Sequence, residues 1–198
     1  MIYEPEGSEQ TTPSSFIELG TPPYLRWAIS LASLLEDPEG VALFKQYLEQ
    51  EGSTDMLDFW FACEGLKNEP RDDANVAQLV RLIHKRYFKA AAPIKVNEAL
   101  RKEVHRRVRE VSKGEVLPDR KLFDEAQQQV EHFINDTAYP EFLRSETYLR
   151  HIRVMQSGMA GAAAMAAGIT HHRYIKLYFE ESIAKKININ RPGSDQSV

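Results

Sequence analysis

The spacing of the six histidines decides whether this chain could hold a metal ion. Four lie on separate predicted helices, where an isolated imidazole is usually a surface or half-buried side chain: His84, His105, His132 and His151. His171 and His172 are adjacent, so on a helix their side chains would point about 100° apart and would not readily share an ion. The histidines therefore predict no metal site.

The single cysteine, Cys63, is a candidate nucleophile. It lies in an apolar run between Ala62 and Glu64, and no basic residue just before it would lower its pKa. We therefore interpret it as a buried structural thiol without a disulfide partner. The chain also lacks a phosphate-binding glycine loop, a zinc-spaced Cys/His set, and the Gly-x-Ser-x-Gly and His-Glu-x-x-His motifs. We expect a non-enzymatic protein with no catalytic residue and no cofactor.

Basic residues are concentrated on two predicted helices. They are Arg81, Lys85, Arg86 and Lys89 on the first, and Arg101, Lys102, Arg106, Arg107, Arg109 and Lys113 on the second. Such runs attract acidic peptides, phosphoinositides or nucleic acid. Glu98, Glu103 and Glu110 interleave with the second set, so ion pairs along the helix would make an ordinary solvated face. We favour the solvated face, expect no nucleic-acid partner and leave an acidic peptide open.

Length and composition indicate one folded unit with tails. The 198 residues suffice for one core and are too few for two comfortable domains. Hydrophobic residues make up 42% and charged residues 27%, an ordinary globular balance, and the formal net charge of −4 gives no global attraction to nucleic acid. The acidic start has no signal-peptide pattern, and no apolar stretch reaches the roughly 20 residues of a bilayer crossing. We expect a cytoplasmic protein without stable membrane insertion.

Hydrophobic periodicity predicts helices and no strands, so the expected fold class is all-α. Residues 1–20 read as a flexible arm and residues 21–153 as the folded domain. Residues 154–198 read as a low-complexity linker with a candidate further helix and a disordered tail.

Capping residues and glycines place the helix boundaries. A first helix is expected to begin at Thr21 and Pro22 and to carry Trp27 and Leu31 on one buried face. Later helices are expected to begin near Asp37, Ser53, Asp73, Asn97 and Pro118, with stops at Gly52 and Gly114. The helix over residues 53–68 is apolar on nearly all faces, which predicts a central position.

Four sequence blocks occur in a family-specific order: LFKQYLEQEG, LDFWFACEGLK, LFDEAQQQVEHF and YPEFLRSETYL. Together they resemble the regulator of G-protein signalling (RGS) homology domain over residues 31–149. The segments TPPYLRW, YPEFL and YEPEGS are similar to the Axin family of scaffold proteins. This resemblance implies an RGS-like helical domain with a four-helix bundle subdomain, forming the N-terminal part of a longer scaffold.

The RGS resemblance also implies where a Gα subunit would be contacted. Active RGS domains accelerate GTP hydrolysis by clamping the switch regions of Gα, through two asparagines and an arginine in their contact loops. At the matched positions this sequence has Met56, Gly114 and Glu141. A thioether, a missing side chain and an anion replace two amides and a cation, which would weaken such an interface. A GTPase-activating RGS domain acting on Gα is therefore the alternative interpretation.

The Axin resemblance implies a different partner, the Ser-Ala-Met-Pro repeats of the adenomatous polyposis coli protein in the β-catenin destruction complex, which negatively regulates Wnt signalling. Such a peptide would bind as a helix in a groove with a basic rim, while β-catenin and kinases would join through the rest of the scaffold. We place the groove between the helices at residues 41–50 and 76–88. The candidate contacts are Lys45, Leu48, Arg81, Lys85 and Arg86, and ordinary surface cations are an equal alternative.

A third interpretation is a membrane-surface adaptor. It rests on the basic helices and the late HHRYIKLYF stretch, and it leaves recruitment to the plasma membrane open.

Overall fold

A computed structural model describes residues 22–89 and 93–156. Within these two ranges the ordered elements are all helical, as the periodicity predicts. The helices are α1 Pro23–Arg26, α2 Leu31–Leu35, α3 Pro38–Gln50, α4 Asp55–Lys67, α5 Asp73–Tyr87, α6 Glu98–Lys113, α7 Asp124–Phe133, α8 Tyr139–Arg144 and α9 Glu146–Gln156, with a π-helical turn at Ile134–Ala138 between α7 and α8. The predicted arm, His171, His172 and residues 157–198 of the predicted tail lie outside the described residues.

Several predicted helix boundaries are confirmed by the side chains that form them. The carboxylate of Asp37 accepts a hydrogen bond from the Glu39 backbone N–H, so it caps α3 just before Pro38. Asn97 caps α6 by accepting from the backbone N–H of Leu100. Gly114 ends α6 in the left-handed conformation, at φ 75°, which favours glycine.

The first predicted helix is wrong in one respect, because it is two short helices. Ser30 adopts an extended conformation and its hydroxyl accepts from the Ser33 backbone N–H, so a new helix starts at Leu31. Trp27 and Leu31 lie on either side of this break and are both buried, as one continuous helix would also require. The apolar pattern therefore does not reveal the break, because both short helices pack on the same core.

The helix predicted to begin near Pro118 in fact begins later, at Asp124. The residues before it form a loop because Arg120 crosses to the α4–α5 connection: its Nε donates to the Glu69 carbonyl at 3.0 Å and its Nη2 to the Arg71 carbonyl at 2.8 Å. Phe133, predicted in the buried stripe of this helix, is only partly buried.

Helices α4, α5, α6 and α7 form a four-helix bundle in which α4 packs against α5 and α7, and α5 packs against α6. The predicted central position of α4 is confirmed, because Phe59 is fully buried and its ring meets those of Tyr87, Phe88 and Phe123 at 5.3 to 6.2 Å. Among the residues that the structure describes, no helix has the length and apolar character needed to cross a bilayer.

Two contacts fix the directions of the bundle helices. Arg86, at the end of α5, donates from Nη2 to Asp55 Oδ1 in the first turn of α4 at 2.7 Å, so the two helices are antiparallel. The guanidinium of Arg101, in the first turn of α6, lies 5.8 Å from the ring centroid of Phe88, just after α5. The starts of α4 and α6 therefore share one end of the bundle with the end of α5. We call it the Met56 end, and we call the opposite end the Gly114 end.

The remaining helices close the domain around Trp27. Its side chain is fully buried, and its backbone carbonyl accepts a hydrogen bond from the hydroxyl of Tyr139 in α8 at 2.9 Å. The hydroxyl of Tyr148 in α9 donates to the carbonyl of Tyr24 in α1 at 3.1 Å. These bonds join segments more than a hundred residues apart in sequence, so the first and last described helices belong to one folded unit.

Candidate functional site

The three positions matched to Gα contacts do not form one surface. Met56 is the second residue of α4 and is buried. Glu141, on α8, lies close enough to Tyr47 to raise the pKa of that tyrosine, and Tyr47 is in the last turns of α3, which lead through residues 51–54 into α4. Met56 and Glu141 therefore lie at the same end of the bundle. Gly114 follows α6 at the other end, so it is not part of a surface with them.

The carboxylate of Glu141, next to Tyr47, places negative charge beside the Met56 end. Burial raises the pKa of Tyr47, and the neighbouring carboxylates Glu141 and Glu51 raise it further. An RGS domain that grips Gα here would have an arginine in place of Glu141. The structure shows instead an exposed carboxylate beside a tyrosine of its own chain.

An amide that the sequence comparison missed lies at the Met56 end. Asn97, at the start of α6, follows the α5–α6 connection at the same end of the bundle as Met56. Its side-chain oxygen caps α6 at Leu100, and its backbone N–H donates to Gln129 Oε1 on α7 at 3.0 Å. The sequence analysis matched the second asparagine to the loop before the FDEAQ block, and so to Gly114. The antiparallel order of α4, α5 and α6, which was readable from the helix count, points to Asn97.

Two carboxylates of α4 hold two of the basic side chains of the predicted peptide surface in place. Lys45 of α3 forms an ion pair with Asp58, Nζ to Oδ1, at 3.6 Å, and Arg86 of α5 binds Asp55. Asp58 is only 3% exposed, and it contributes to the raised pKa of Tyr87, whose main cause is burial. The start of α4 thus lies between α3 and α5 and holds one basic side chain on each side.

The other predicted contacts divide into buried and exposed groups. Leu48 is 1% exposed and belongs to the core, so its side chain supports this surface from beneath. Arg81 and Lys85 are exposed on α5, and no described carboxylate lies within ion-pair distance of either. Sequence reasoning missed Leu82, a partly buried apolar residue one turn before Arg86; its helical spacing from Arg86 was the available signal.

An open groove of about 1020 Å³ lies elsewhere, between residues 95–97 and α7. Phe133 lies under the ammonium of Lys95, at 5.1 Å from ring centroid to Nζ. Acidic residues also line the groove, Glu125 and Asp136, and the latter is paired with His132 at 3.3 Å. This mixed lining does not match a basic-rimmed trough for an acidic peptide.

His84, His105 and Cys63 lie where helices pack together rather than in a binding site. His84 Nε2 and His105 Nδ1 share a hydrogen bond of 2.5 Å between α5 and α6. Burial lowers the pKa of His84, and the nearby His105 and Lys89 lower it further, to about 4. Cys63 is buried, and burial raises its pKa. Within residues 22–89 and 93–156, no group of three or more His, Cys, Asp or Glu side chains is arranged to hold a metal ion.

Comparison with known proteins agrees with this architecture. Residues 30–151 match the family model of the regulator of G protein signaling domain. The chain is 38% identical to mouse (Mus musculus) Axin-1 over 155 residues, and 39% identical to chicken (Gallus gallus) Axin-1 over the same length, which is 76% of this chain. It is 34% identical to human (Homo sapiens) Axin-2 over 167 residues, or 84% of this chain.

These alignments cover 17% of each Axin-1 sequence and 18% of the Axin-2 sequence, so the chain spans less than a fifth of the relatives it matches. Identity at this level over three quarters of the chain, joined to an RGS match over most of the described helices, settles the family. The chain belongs to the Axin family and carries that family's RGS domain.

Proposed function

We propose that this chain is a non-enzymatic recognition module of a Wnt-pathway scaffold, which binds the Ser-Ala-Met-Pro repeats of the adenomatous polyposis coli protein and so negatively regulates Wnt signalling. Membership of the Axin family is the observation that carries the proposal. The changed chemistry at the Met56 end supports it, because a thioether at Met56 and an anion at Glu141 disfavour a grip on Gα.

The proposed peptide surface comprises Lys45, Arg81, Leu82, Lys85 and Arg86, supported from beneath by Leu48. Arg81 and Lys85 are available to peptide carboxylates, since no described acidic side chain pairs with them. Leu82 would supply an apolar contact on the flank of α5 beside Arg86. A disordered repeat would become helical on binding, and the entropy lost in that ordering would keep its affinity modest.

Other partners would come through the longer scaffold. The relatives extend far beyond the matched segment, and we propose that β-catenin and kinases bind those other regions. In this arrangement residues 21–153 are the domain, while residues 1–20 and 154–198 connect it to its surroundings. The proposed setting is cytoplasmic, and binding several partners on one chain raises their effective concentration for one another.

Calorimetric titration with a Ser-Ala-Met-Pro peptide tests the proposal. We expect saturable binding to the full chain and at least about tenfold weaker binding to the double variant Arg81→Glu/Lys85→Glu, because two attractive charges become repulsive. The control, Lys121→Glu/Arg144→Glu, makes the same charge change at two exposed residues away from this surface. If the unmodified chain does not bind at about 100 μM peptide, its binding free energy is weaker than about −5.5 kcal/mol, and the proposal is contradicted.

Stimulation of GTP hydrolysis on Gα is the second candidate function, and Asn97 is the observation in its favour, because it retains an amide at the Met56 end. Single-turnover hydrolysis of GTP on a Gα subunit, with and without the chain, distinguishes the two. Acceleration together with indifference to the peptide would favour this second function.

A further inference from the structure

Three exposed cations follow one another along α5 and just beyond its end, and we call them the α5 row. Arg81 and Lys85 are spaced by four residues, so they lie on the same side of the helix. Lys89 comes two residues after the end of α5, where its backbone N–H donates to the His84 carbonyl at 3.2 Å. No carboxylate in the described ranges lies within ion-pair distance of any of them. Arg86 differs, since it points to the other flank and pairs with Asp55. The row therefore carries uncompensated positive charge.

Helix α6 adds another cation, Arg109, to the same face. The His84–His105 hydrogen bond and the contact of Arg101 with Phe88 fix the antiparallel register of the two helices. Arg109, one turn after His105, is therefore close to the level of Arg81, three residues before His84. Arg109 is exposed and, like the α5 row, has no described carboxylate partner.

The acidic residues of α6 do not neutralise this face. Glu98 pairs with Arg101 and Lys102, each at 3.9 Å. Arg106 engages both Glu103 and Glu110. Each of these carboxylates is thus occupied by a cation of its own helix. A chain with a formal net charge of −4 consequently presents together four cations that have no carboxylate partner among the described residues: Arg81, Lys85, Lys89 and Arg109.

An exposed apolar tip lies at the Gly114 end of this face, beyond Arg109. Val116 is 47% exposed and Leu117 is 79% exposed, in the loop that follows α6. Arg120 anchors this loop to the α4–α5 connection, which leads into α5. The tip therefore lies at the end of the bundle where α6 ends and α5 begins, with Arg109 the cation nearest to it in sequence and Lys89 at the opposite, Met56 end.

We propose that this basic face, defined by Arg81, Lys85, Lys89 and Arg109, binds the surface of an anionic phospholipid bilayer while Leu117 enters the interfacial region. Basic residues beside a short apolar tip are the combination that binds peripheral proteins to acidic membranes. The described parts of α5 and α6 expose no large apolar or aromatic side chain, so the face offers no stacking platform for single-stranded nucleic acid.

Co-sedimentation of the full chain with vesicles tests this proposal. We expect binding to phosphatidylcholine vesicles that contain phosphatidylserine, little binding to phosphatidylcholine alone, and weakening as ionic strength rises above about 0.15 M. The variant Lys89→Gln/Arg109→Gln should bind about 30-fold more weakly, because each cation near an acidic surface contributes about a fivefold factor. Leu117→Ser should weaken binding about tenfold.

The matched control is Arg144→Gln/Arg150→Gln, which removes the same charge from exposed positions on α8 and α9, outside the face and the tip. Lys89 and Arg109 also lie outside the proposed peptide surface, so their variant should bind the Ser-Ala-Met-Pro peptide normally. Membrane binding and peptide binding can then fail separately. Equal vesicle binding by the Lys89/Arg109 variant and the control would overturn the proposal, as would no vesicle binding at all or binding to single-stranded RNA in its place.

Discussion

The indole of Trp27 lies directly against the α-carbon of Gly40, so closely that a methyl group there would come within 2.9 Å of the Nε1 and Cε2 atoms. Gly40 is in the first turn of α3, and the fully buried Trp27 connects α1 to α8 through its carbonyl. The indole contact joins Trp27 to α3, and a side chain at Gly40 would disturb it without touching either proposed binding surface.

We expect Gly40→Ala to lower the free energy of unfolding by about 1 to 3 kcal/mol, because the indole cannot move away within a packed core. Urea unfolding measures the change. Gly52→Asn is the control, since Gly52 has a positive φ of 64° that asparagine tolerates and open space around it. A Gly40→Ala protein as stable as this control would show that the Trp27 contact is looser than described.

Leu48→Arg should unfold the domain, whereas Leu43→Arg should destabilise it less. Leu48 is 1% exposed, and a charge there would have no partner, at a cost above about 4 kcal/mol. Leu43 is only partly buried, so its replacement could extend into water, at a cost of about 1 to 2 kcal/mol. Circular dichroism during thermal unfolding compares the two. Equal melting temperatures would contradict the burial of Leu48.

Stability should fall as the pH is lowered from about 6.5 toward 4, through protonation of His84. The pKa of His84 is lowered to about 4 in the folded protein, so over this interval the unfolded chain binds the proton more readily. Allowing for solvent screening, we expect a loss of about 1 to 2 kcal/mol.

Replacement of the imidazole provides the control for this pH effect. His84→Gln removes the titrating group, so its unfolding free energy should depend less on pH between about 6.5 and 5, where few carboxylates titrate. An unchanged pH dependence in this variant would assign the effect to other groups.

Gα stimulation should be absent from the unmodified chain and should appear, at least weakly, in Met56→Asn/Glu141→Arg. The two changes restore an amide and a cation at the end of the bundle where Asn97 is already present. Single-turnover GTP hydrolysis on Gα measures the gain. No gain in a variant that still folds would mean that these two side chains are not what limits the interaction.

Much of the helical order was predictable from local signals. Asp37, Asn97 and Gly114 act within a few residues of themselves, so the boundaries they set were readable from the sequence. The break at Ser30 and the late start of α7 were not. The first depends on a hydroxyl cap within a continuous apolar pattern, and the second on Arg120 reaching carbonyls about fifty residues away in sequence.

The proposed sites show the same division. The cations of α5 could be named from their spacing, but their availability could not, because it depends on which carboxylates lie nearby in space. Lys45 and Arg86 have such partners on α4, whereas Arg81 and Lys85 have none among the described residues. Gly114 was matched as a residue of the loop before the FDEAQ block, and only the antiparallel order of the helices in space shows that it lies at the opposite end from Met56.

The central claim is that an acidic peptide binds the surface formed by α3, α4 and α5 and leaves the Met56 end free. Amide chemical shifts recorded by NMR during titration with the Ser-Ala-Met-Pro peptide test it most directly. The account predicts the largest changes at Lys45, Leu82 and Arg86, with little change at Asn97 and Glu141. Changes concentrated at Asn97 and Glu141, or none anywhere at saturating peptide, would contradict it.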